Sequence, residues 1–331
     1  MVRKSFFWGF SFGIVAALGL FLAAFLLNLG VPTKLTTWTG EVMAKKKVLA
    51  LTSAPPRILV AGGSSALFGI SARELELLTG VRSINLACHA GLGTRVLLDF
   101  AEKLARPGDV ILLALEYELY NSGYFDRDSL NENNIDYVLA RNPGFLTKMR
   151  TAELVWFFLM TPDKRLRRGV QGRLSGGEGR GIKKVYNADS INDWGDEILK
   201  DSDARERPRK IANNSLLASG LPGQPAGFPL LNDFLVSCAR QNIRVLAAYP
   251  NLMDCPKYRT EIAHQTADRI QKFFRDHGVE MADSYDRCLK PAEDFFDTEY
   301  HLLSVPCLRR TRLLAESVRP WLVRQGLIPP Q

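Results

Sequence analysis

The sequence predicts a three-layer α/β/α domain built on a parallel sheet and preceded by one membrane-spanning helix. An uncharged stretch, Phe6 to Leu27, lies near the N-terminus. Beyond it, short apolar runs of strand length alternate with helical segments, and this order is typical of parallel strands joined by helical crossovers. The chain has 331 residues, of which 46% are apolar and 24% charged. This composition excludes a disordered chain and suits one large domain with an insertion.

The uncharged N-terminal stretch is long enough to cross a bilayer core of roughly 30 Å. A cleaved signal peptide is the alternative, but its apolar part is usually about 7–15 residues, and no small-x-small site follows here. We therefore expect an uncleaved anchor over residues 1–30 and a linker over 31–56. Although Lys45–Lys47 compete with Arg3 and Lys4 for the cytoplasmic side, lone N-terminal anchors usually keep the N-terminus inside. We expect a single-pass protein of the inner (cytoplasmic) membrane, with its globular domain in the periplasm or outside the cell.

The net charge of +8 lies largely in short basic clusters, including residues 164–168 and 180–184. No aromatic residues are interleaved with the basic ones there, so we expect no nucleic-acid partner. A basic face toward anionic lipid or an anionic polymer is the interpretation we favour. The five cysteines form no C-x-x-C pair, which argues against zinc. We expect neither a metal nor a cofactor.

The first strand of the domain runs directly into a glycine turn and a serine. The apolar residues 58–61 are followed by Gly62, Gly63, Ser64 and Ser65, after which a helix is predicted, with Ser71 as a cap further on. A strand, tight turn and helix N-terminus place a serine at the carboxyl edge of the sheet, beside backbone N–H groups. An ordinary surface turn is the alternative.

The following segments continue the strand and helix alternation. A short strand over 82–86 leads into a second glycine-bearing loop that contains His89 and Gly91. A helix is predicted over 94–105, and a continuous apolar run over 109–115 is typical of a strand buried on both faces.

The domain is expected to span residues 57–325 and to contain an irregular insertion at about 120–226. An aromatic run, Trp156 to Phe158, indicates a helix packed on the main body. The segment 187–209 is polar, which favours an insertion or a flexible flap. Beyond it we expect helices over 228–241, 258–277 and 306–322, and strands over 243–249 and 279–283.

A serine nucleophile needs a base and a group that orients the base. The chain has four histidines, and His301 follows Asp297 and Glu299 closely in the loop after the last strand. A carboxylate could therefore hold its ring. Capping of the next helix by the two carboxylates is the alternative. His89, in the second glycine loop, is a possible pocket residue.

Taken in order, Gly-Gly-Ser, the Asn85 to Gly91 loop and the segment Asp-Thr-Glu-Tyr-His-Leu resemble the SGNH/GDSL hydrolase superfamily. The likeness is to its membrane-anchored branch, which includes D-alanine transfer proteins and alginate-type O-acetyltransferase subunits, and it covers about residues 57–117 and 228–322. The resemblance implies a flavodoxin-like fold with Ser64 as nucleophile (Ser65 as alternative), His301 as base and Asp297 as its carboxylate. It also implies an oxyanion site at the backbone N–H groups of Ser64 and Gly91, or Ala90.

The sequence departs from the superfamily pattern at three places. Gly-Gly-Ser replaces Gly-Asp-Ser, and one extra residue separates Asp297 from His301. The Gly-x-Asn-Asp block that should end the third strand reads Leu-Glu-Tyr-Glu, so its oxyanion-binding asparagine is missing. Loss of one such donor can cost on the order of 10²–10³ in rate. The hydroxyl of Tyr117 is a possible replacement.

From this resemblance we expect a serine-dependent O-acyltransferase or esterase that acts on a cell-envelope polysaccharide or polyol. A membrane-bound O-acyltransferase would be the acyl donor. A plain periplasmic esterase is one alternative, and a catalytically silent scaffold of an acylation or export complex is another. A nucleotide-binding protein is a weaker alternative, because the G-x-G-x-x-G spacing and the P-loop lysine are missing.

Overall fold

A computed structural model of the chain describes residues 2–175, 187–198 and 215–330. The chain forms two compact units, each assembled from two separate stretches. The first unit takes residues 1–40 and 125–182, and the second takes residues 41–124 and 183–331.

The described helices are α1 (Val2–Leu27), α2 (Thr37–Thr52), α3 (Ser64–Gly69), α4 (Ala72–Thr79), α5 (Gly93–Leu104), α6 (Glu132–Arg141), α7 (Thr151–Met160), α8 (Asp163–Ser175), α9 (Ser215–Ser219), α10 (Gly227–Arg240), α11 (Glu261–Asp276), α12 (Tyr285–Cys288) and α13 (Ser304–Arg324). The described strands are β1 (Ile58–Gly62), β2 (Ser83–Asn85), β3 (Val110–Ala114), β4 (Arg244–Ala247), β5 (Leu252–Met253) and β6 (Leu289–Lys290).

The second unit is an α/β structure around a parallel sheet of four strands in the order β2-β1-β3-β4. Every residue of β1 and β3 is buried, as their unbroken apolar sequences predict for central parallel strands. A smaller parallel pair, β5 and β6, follows later in the chain.

Helices cover both faces of this sheet. The chain crosses from β1 to β2 through α4, and then from β2 back past β1 to β3 through α5. Right-handed crossovers that run in opposite directions put their helices on opposite faces. Helix α13 packs on α4, and α10 packs on α5 and β4, so each face carries two main helices.

Two predicted elements differ from the structure. Residues 279–283 make a single parallel bridge, Ala247 to Met281, and not a strand. Further along, the backbone N–H of Tyr249 donates to the side chain of Asp283 and not to a backbone carbonyl of this segment, with 2.9 Å between N and Oδ1. The helix expected from residue 258 begins at Glu261, where the hydroxyl of Thr260 accepts from the N–H of Ala263 and caps it.

The first unit contains the N-terminal helix α1, whose segment Phe10–Leu27 is long and apolar enough to span a membrane, with mean hydropathy 2.5. No other helix in the described ranges meets this test. The aromatic helix α7, expected on the main body, packs on α1 within this unit: the rings of Phe25 and Phe158 are 4.3 Å apart.

Two segments expected to be irregular are structured. Residues 31–56, expected to be a linker, contain the helix α2. The expected insertion at 120–226 contributes α6, α7 and α8 to the first unit. Within the expected flap, residues 187–198 pack on α4 through Asp196, whereas 199–209 lie outside the described residues.

Candidate functional site

Polar residues follow all four strands of the main sheet at the point where each strand ends. Ser64 follows β1, His89 lies in the loop after β2, Glu116 comes two residues after β3, and Asn251 lies in the segment after β4. Because the strands are parallel, their carboxyl ends share one edge of the sheet, which is where open α/β sheets place their ligands.

His301 and Asp297 form a hydrogen-bonded pair, with His301 Nδ1 2.7 Å from Asp297 Oδ1. The loop that carries them closes on itself, since the N–H of Phe296 donates to the His301 carbonyl at 2.8 Å and Phe295 bridges to Leu302. This turn brings the two side chains together across a spacing one residue longer than the superfamily pattern. A carboxylate only accepts hydrogen bonds, so Nδ1 carries the proton and Nε2 is the unprotonated ring nitrogen in the neutral tautomer.

The ring of His301 stacks on the ring of Phe68, with centroids 4.4 Å apart and planes 25° apart. Phe68 lies four residues after Ser64 in α3, and residues four apart share one face of a helix. The imidazole of His301 therefore packs on the face of α3 that also carries Ser64, the first residue of that helix. Ser64 is half-buried, and its hydroxyl makes no hydrogen bond to any residue that the structure describes.

Ser65 points elsewhere and is fully buried. Its hydroxyl donates to Asn251 Oδ1 at 3.2 Å and lies 3.4 Å from the Asn251 carbonyl oxygen. Asn251 in turn accepts from Arg310 Nη1 at 3.1 Å and donates to the carbonyl of Tyr300, next to His301. Ser65 thus belongs to a structural network, and of the two serines only Ser64 retains an unbonded hydroxyl.

The carboxylate of Glu116 holds the turn that presents Ser64. It accepts from the N–H of Ser65 at 2.7 Å and from the N–H of Gly63 at 3.1 Å, and burial raises its pKa to about 7. A Cβ atom on Gly63 would lie 2.5 Å from Glu116 Oε1. An aspartate before the serine would therefore collide with this carboxylate, which explains why glycine stands there.

His89 lies near His301. Burial lowers the pKa of His89, and the charge of His301 lowers it further. His89 caps the short 3₁₀ turn Ala90–Leu92, in which the N–H of Leu92 returns to the His89 carbonyl at 3.0 Å. The hydrogen bond of this turn starts from the N–H of Leu92. The N–H groups of Ala90 and Gly91 therefore make no hydrogen bond within the turn.

Tyr117, the possible oxyanion donor, comes three residues after the end of β3. Its ring is fully buried and packs edge-on against Tyr285, with centroids 6.3 Å apart. Its hydroxyl has no hydrogen-bond partner among the described residues, and burial raises its pKa well above the usual value.

Two further carboxylates lie in or beside the Asp297 to His301 loop, Glu299 within it and Glu118 next to it. Glu299 accepts from the hydroxyl of Tyr258 at 2.6 Å, and burial raises its pKa to about 7. Glu118 accepts from the hydroxyl of Tyr300 at 3.0 Å, and burial also raises its pKa. Both carboxylates therefore bond tyrosines, and Asp297 is the one bonded to His301.

Sequence reasoning missed the roles of Glu116, Asn251 and Arg310. The first two could have been suspected because each follows a buried strand at the edge that carries Ser64. Arg310 left no signal, because it is one of several arginines in α13 and only the fold reveals that it is buried. Its guanidinium donates to the carbonyls of Gly69 at 3.0 Å and Tyr249 at 2.6 Å.

Among the described residues, no three His, Cys, Asp or Glu side chains are grouped so that they could hold a metal ion, and all five cysteines are free thiols. No protein-family model matches the sequence, and no significant match was found among curated proteins.

Proposed function

We propose that this chain is a membrane-anchored, SGNH-like O-acyltransferase or esterase that acts through Ser64, His301 and Asp297. The observation that carries the proposal is the Asp297 to His301 hydrogen bond beside the helix face that begins with Ser64. The strand order β2-β1-β3-β4 adds support, because it is the order of the first four strands of a flavodoxin-like sheet.

In the proposed reaction, Ser64 Oγ attacks the carbonyl carbon of a small acyl donor while His301 Nε2 takes the hydroxyl proton. Asp297 stabilises the resulting imidazolium, and the N–H groups of Ser64 and Gly91 bind the oxyanion. The bond to the leaving group breaks, and that group takes the proton from His301. A hydroxyl of an envelope glycan or polyol, or water, then attacks the acyl-Ser64 ester while His301 accepts its proton. The bond between the acyl group and Ser64 Oγ breaks, and His301 returns the proton to Ser64 Oγ.

The cellular setting belongs to the same proposal. Helix α1 would hold the chain in the inner membrane with the globular units in the periplasm or outside the cell. A membrane-bound O-acyltransferase would then be a natural acyl donor, because both proteins would be held in the same membrane.

An activated-serine probe tests the nucleophile. The full chain in detergent is treated with a fluorophosphonate, and we expect wild type to be labelled and Ser64→Ala to be unlabelled. Ser65→Ala is the matched control and should still be labelled, because the Ser65 hydroxyl is buried against Asn251. Equal labelling of wild type and Ser64→Ala would rule out the assignment.

The same assay tests the orienting carboxylate. Asp297→Asn should slow labelling by up to about 10⁴-fold, the size of the loss when a triad carboxylate becomes an amide. Glu299→Gln is the control, because Glu299 is two residues from His301 but bonds Tyr258. Similar rates in the two variants would show that Asp297 has no orienting role.

A catalytically silent scaffold is the second candidate, and one observation favours it. The N–H of Ser65, the residue after the proposed nucleophile, already donates to Glu116, and no asparagine ends β3. Neither group is therefore available to bind an oxyanion. If this candidate holds, His301→Ala will leave both the assembly of the envelope-modifying complex and formation of its product unchanged. Loss of the product in an intact complex would exclude it. Rapid turnover of p-nitrophenyl acetate would instead favour a plain esterase.

A further inference from the structure

Helix α7 exposes three large apolar side chains that the described part of the chain covers only in part. Val155 is 50% exposed, Trp156 38% and Leu159 69%, while Phe157 on the other side of the helix is buried. The sequence of α7, Thr151 to Met160, is apolar on nearly every face. A contiguous exposed patch of this kind marks an interaction surface.

The position of α7 beside α1 indicates what covers this surface. Phe158 packs on Phe21 and Phe25, with ring centroids 6.4 and 4.3 Å apart, and Phe157 contacts Phe25 edge-on. Phe21 lies six residues before Leu27, the end of the apolar segment, which is about 9 Å along a helix. Amphipathic helices lie about 5–10 Å deep at the boundary between headgroups and acyl chains. With α1 in a bilayer, α7 would therefore lie at the depth of such helices.

The next helix supplies the charge expected at headgroup level. Arg167, Arg168 and Arg173 of α8 are exposed. Arg173 donates to the carbonyls of Leu27 and Leu29 at 3.4 and 2.9 Å, so its guanidinium lies at the end of the apolar segment of α1. An exposed arginine at this level attracts anionic lipid headgroups, whereas the charge of Arg167 is shared with Asp163 on the same helix.

We propose that α7 is an interfacial membrane helix, embedded beside α1 in the leaflet at the C-terminal end of the anchor, with the arginines of α8 at the headgroups. The proposed occupant of the apolar face is lipid. This inference rests on the anchoring proposed for α1 and is independent of the acyl-transfer chemistry. It gives the first unit two contacts with the bilayer, one through α1 and one through α7.

Three matched leucine substitutions test the proposal in the full chain. Each variant carries one nitroxide on an introduced cysteine: Leu159→Cys on α7, Leu18→Cys on α1 and Leu77→Cys on α4. The three leucine side chains are similarly exposed, at 69%, 62% and 70% respectively. The labelled chains are reconstituted into vesicles of phosphatidylcholine and phosphatidylglycerol. Collision with oxygen is then compared with collision with a water-soluble nickel chelate. The labelled parent chain gives the background from its native thiols, of which four are buried and Cys307 is half-buried.

We expect the labels on α7 and α1 to respond more to oxygen than to nickel, and the label on α4 to respond more to nickel. Oxygen dominance at Leu18 together with nickel dominance at Leu159 would overturn the proposal and leave the anchor intact, because the exposed face of α7 would then lie in water. Nickel dominance at both positions would refute the anchor and, with it, the interfacial helix.

Tryptophan quenching provides a second measurement without a label. Lipids brominated near the headgroup end of their acyl chains should quench less of the fluorescence of Trp156→Phe than of wild type. Trp194→Phe, which removes a half-buried tryptophan of the second unit, should leave the quenched intensity unchanged. Equal quenching of wild type and Trp156→Phe would contradict insertion of α7.

Discussion

The turn around Ser64 shows how one buried carboxylate shapes a candidate site. The carboxylate of Glu116 accepts hydrogen bonds from the N–H groups of Gly63 and Ser65, on either side of Ser64. It also fills the space that a side chain at position 63 would need. The sequence indicated Ser64, His301 and Asp297, because glycines before a serine and a histidine near carboxylates form local patterns. It could not indicate the role of Glu116, because a hydrogen bond to backbone N–H groups 50 residues away leaves no local pattern.

Glu116 should make stability depend on pH. Its pKa rises from 4.5 to about 7 on folding, so below about 4.5 both states hold the proton and the stabilisation is complete. Between 4.5 and 7 the unfolded chain releases the proton first, and stability falls as pH rises, by up to about 3 kcal/mol. In Glu116→Gln this fall should be absent. We expect the unfolding free energy of wild type, relative to the variant, to decrease from pH 4.5 to 7.5 in urea titrations.

The exposed Glu293 provides the control for this titration. Glu293→Gln should follow the pH profile of wild type throughout. A wild-type minus Glu116→Gln difference that stays constant from pH 4.5 to 7.5 would show that Glu116 does not titrate in this range in the folded protein.

At the scale of elements, most helices and strands follow from periodicity, whereas α2 does not. Its Lys45-Lys46-Lys47 run indicates exposure, but Lys46 is fully buried and donates to the carbonyl of Ala87. Burial lowers the pKa of Lys46 to about 8. A buried lysine that satisfies a distant carbonyl is a tertiary feature, and a local charge pattern cannot reveal it.

Helix α4 depends on a cap from a distant segment. Asp196 accepts from the N–H groups of Ala72 and Arg73 at 2.7 and 3.0 Å and from the Ser71 hydroxyl at 3.1 Å. Asp196→Ala should lower the free energy of unfolding by about 1–3 kcal/mol, because buried donors lose their acceptor. Chemical denaturation measures the loss.

The neighbouring Asp193 is exposed, so Asp193→Ala is the matched control and should leave the unfolding midpoint in place. Equal midpoints for the two alanine variants would mean that water replaces the Asp196 cap without cost.

At the scale of the whole molecule, the sequence predicted the long apolar helix α1 and the parallel sheet but not the composition of the first unit. The expected insertion lies about 100 residues beyond α1, and the two meet through aromatic side chains such as Phe25 and Phe157. Apolar periodicity predicts that a helix buries one face but does not identify its partner. The pairing of these stretches therefore required the three-dimensional structure.

A fully buried ion pair connects several elements of the second unit. Asp109 lies just before β3, and Arg57 lies just before β1. The carboxylate of Asp109 forms an ion pair with the guanidinium of Arg57 and also accepts a hydrogen bond from the backbone N–H of Arg57 at 2.9 Å. Arg57 Nη2 also donates to the carbonyl of Leu104, the last residue of α5, at 3.0 Å. Asp109→Asn leaves a buried guanidinium without its countercharge, so we expect a loss of about 3–5 kcal/mol in unfolding free energy.

The control for this loss is Asp276→Asn, which removes an exposed pair with Lys272 on α11. Surface pairs of this kind contribute little, so its unfolding transition should coincide with that of wild type. A transition for Asp109→Asn that also coincides with wild type would show that the buried pair contributes nothing to stability.

The discontinuous first unit also has a consequence for biosynthesis. Phe157 leaves the ribosome roughly 130 residues after Phe25, a delay on the order of 10 s at ordinary rates of translation. During that interval α1 is without its aromatic neighbours while β1, β2 and β3 are being synthesised. Nascent chains halted before residue 150 should therefore hold α1 without α7, and completion of the first unit has to await elongation through that segment.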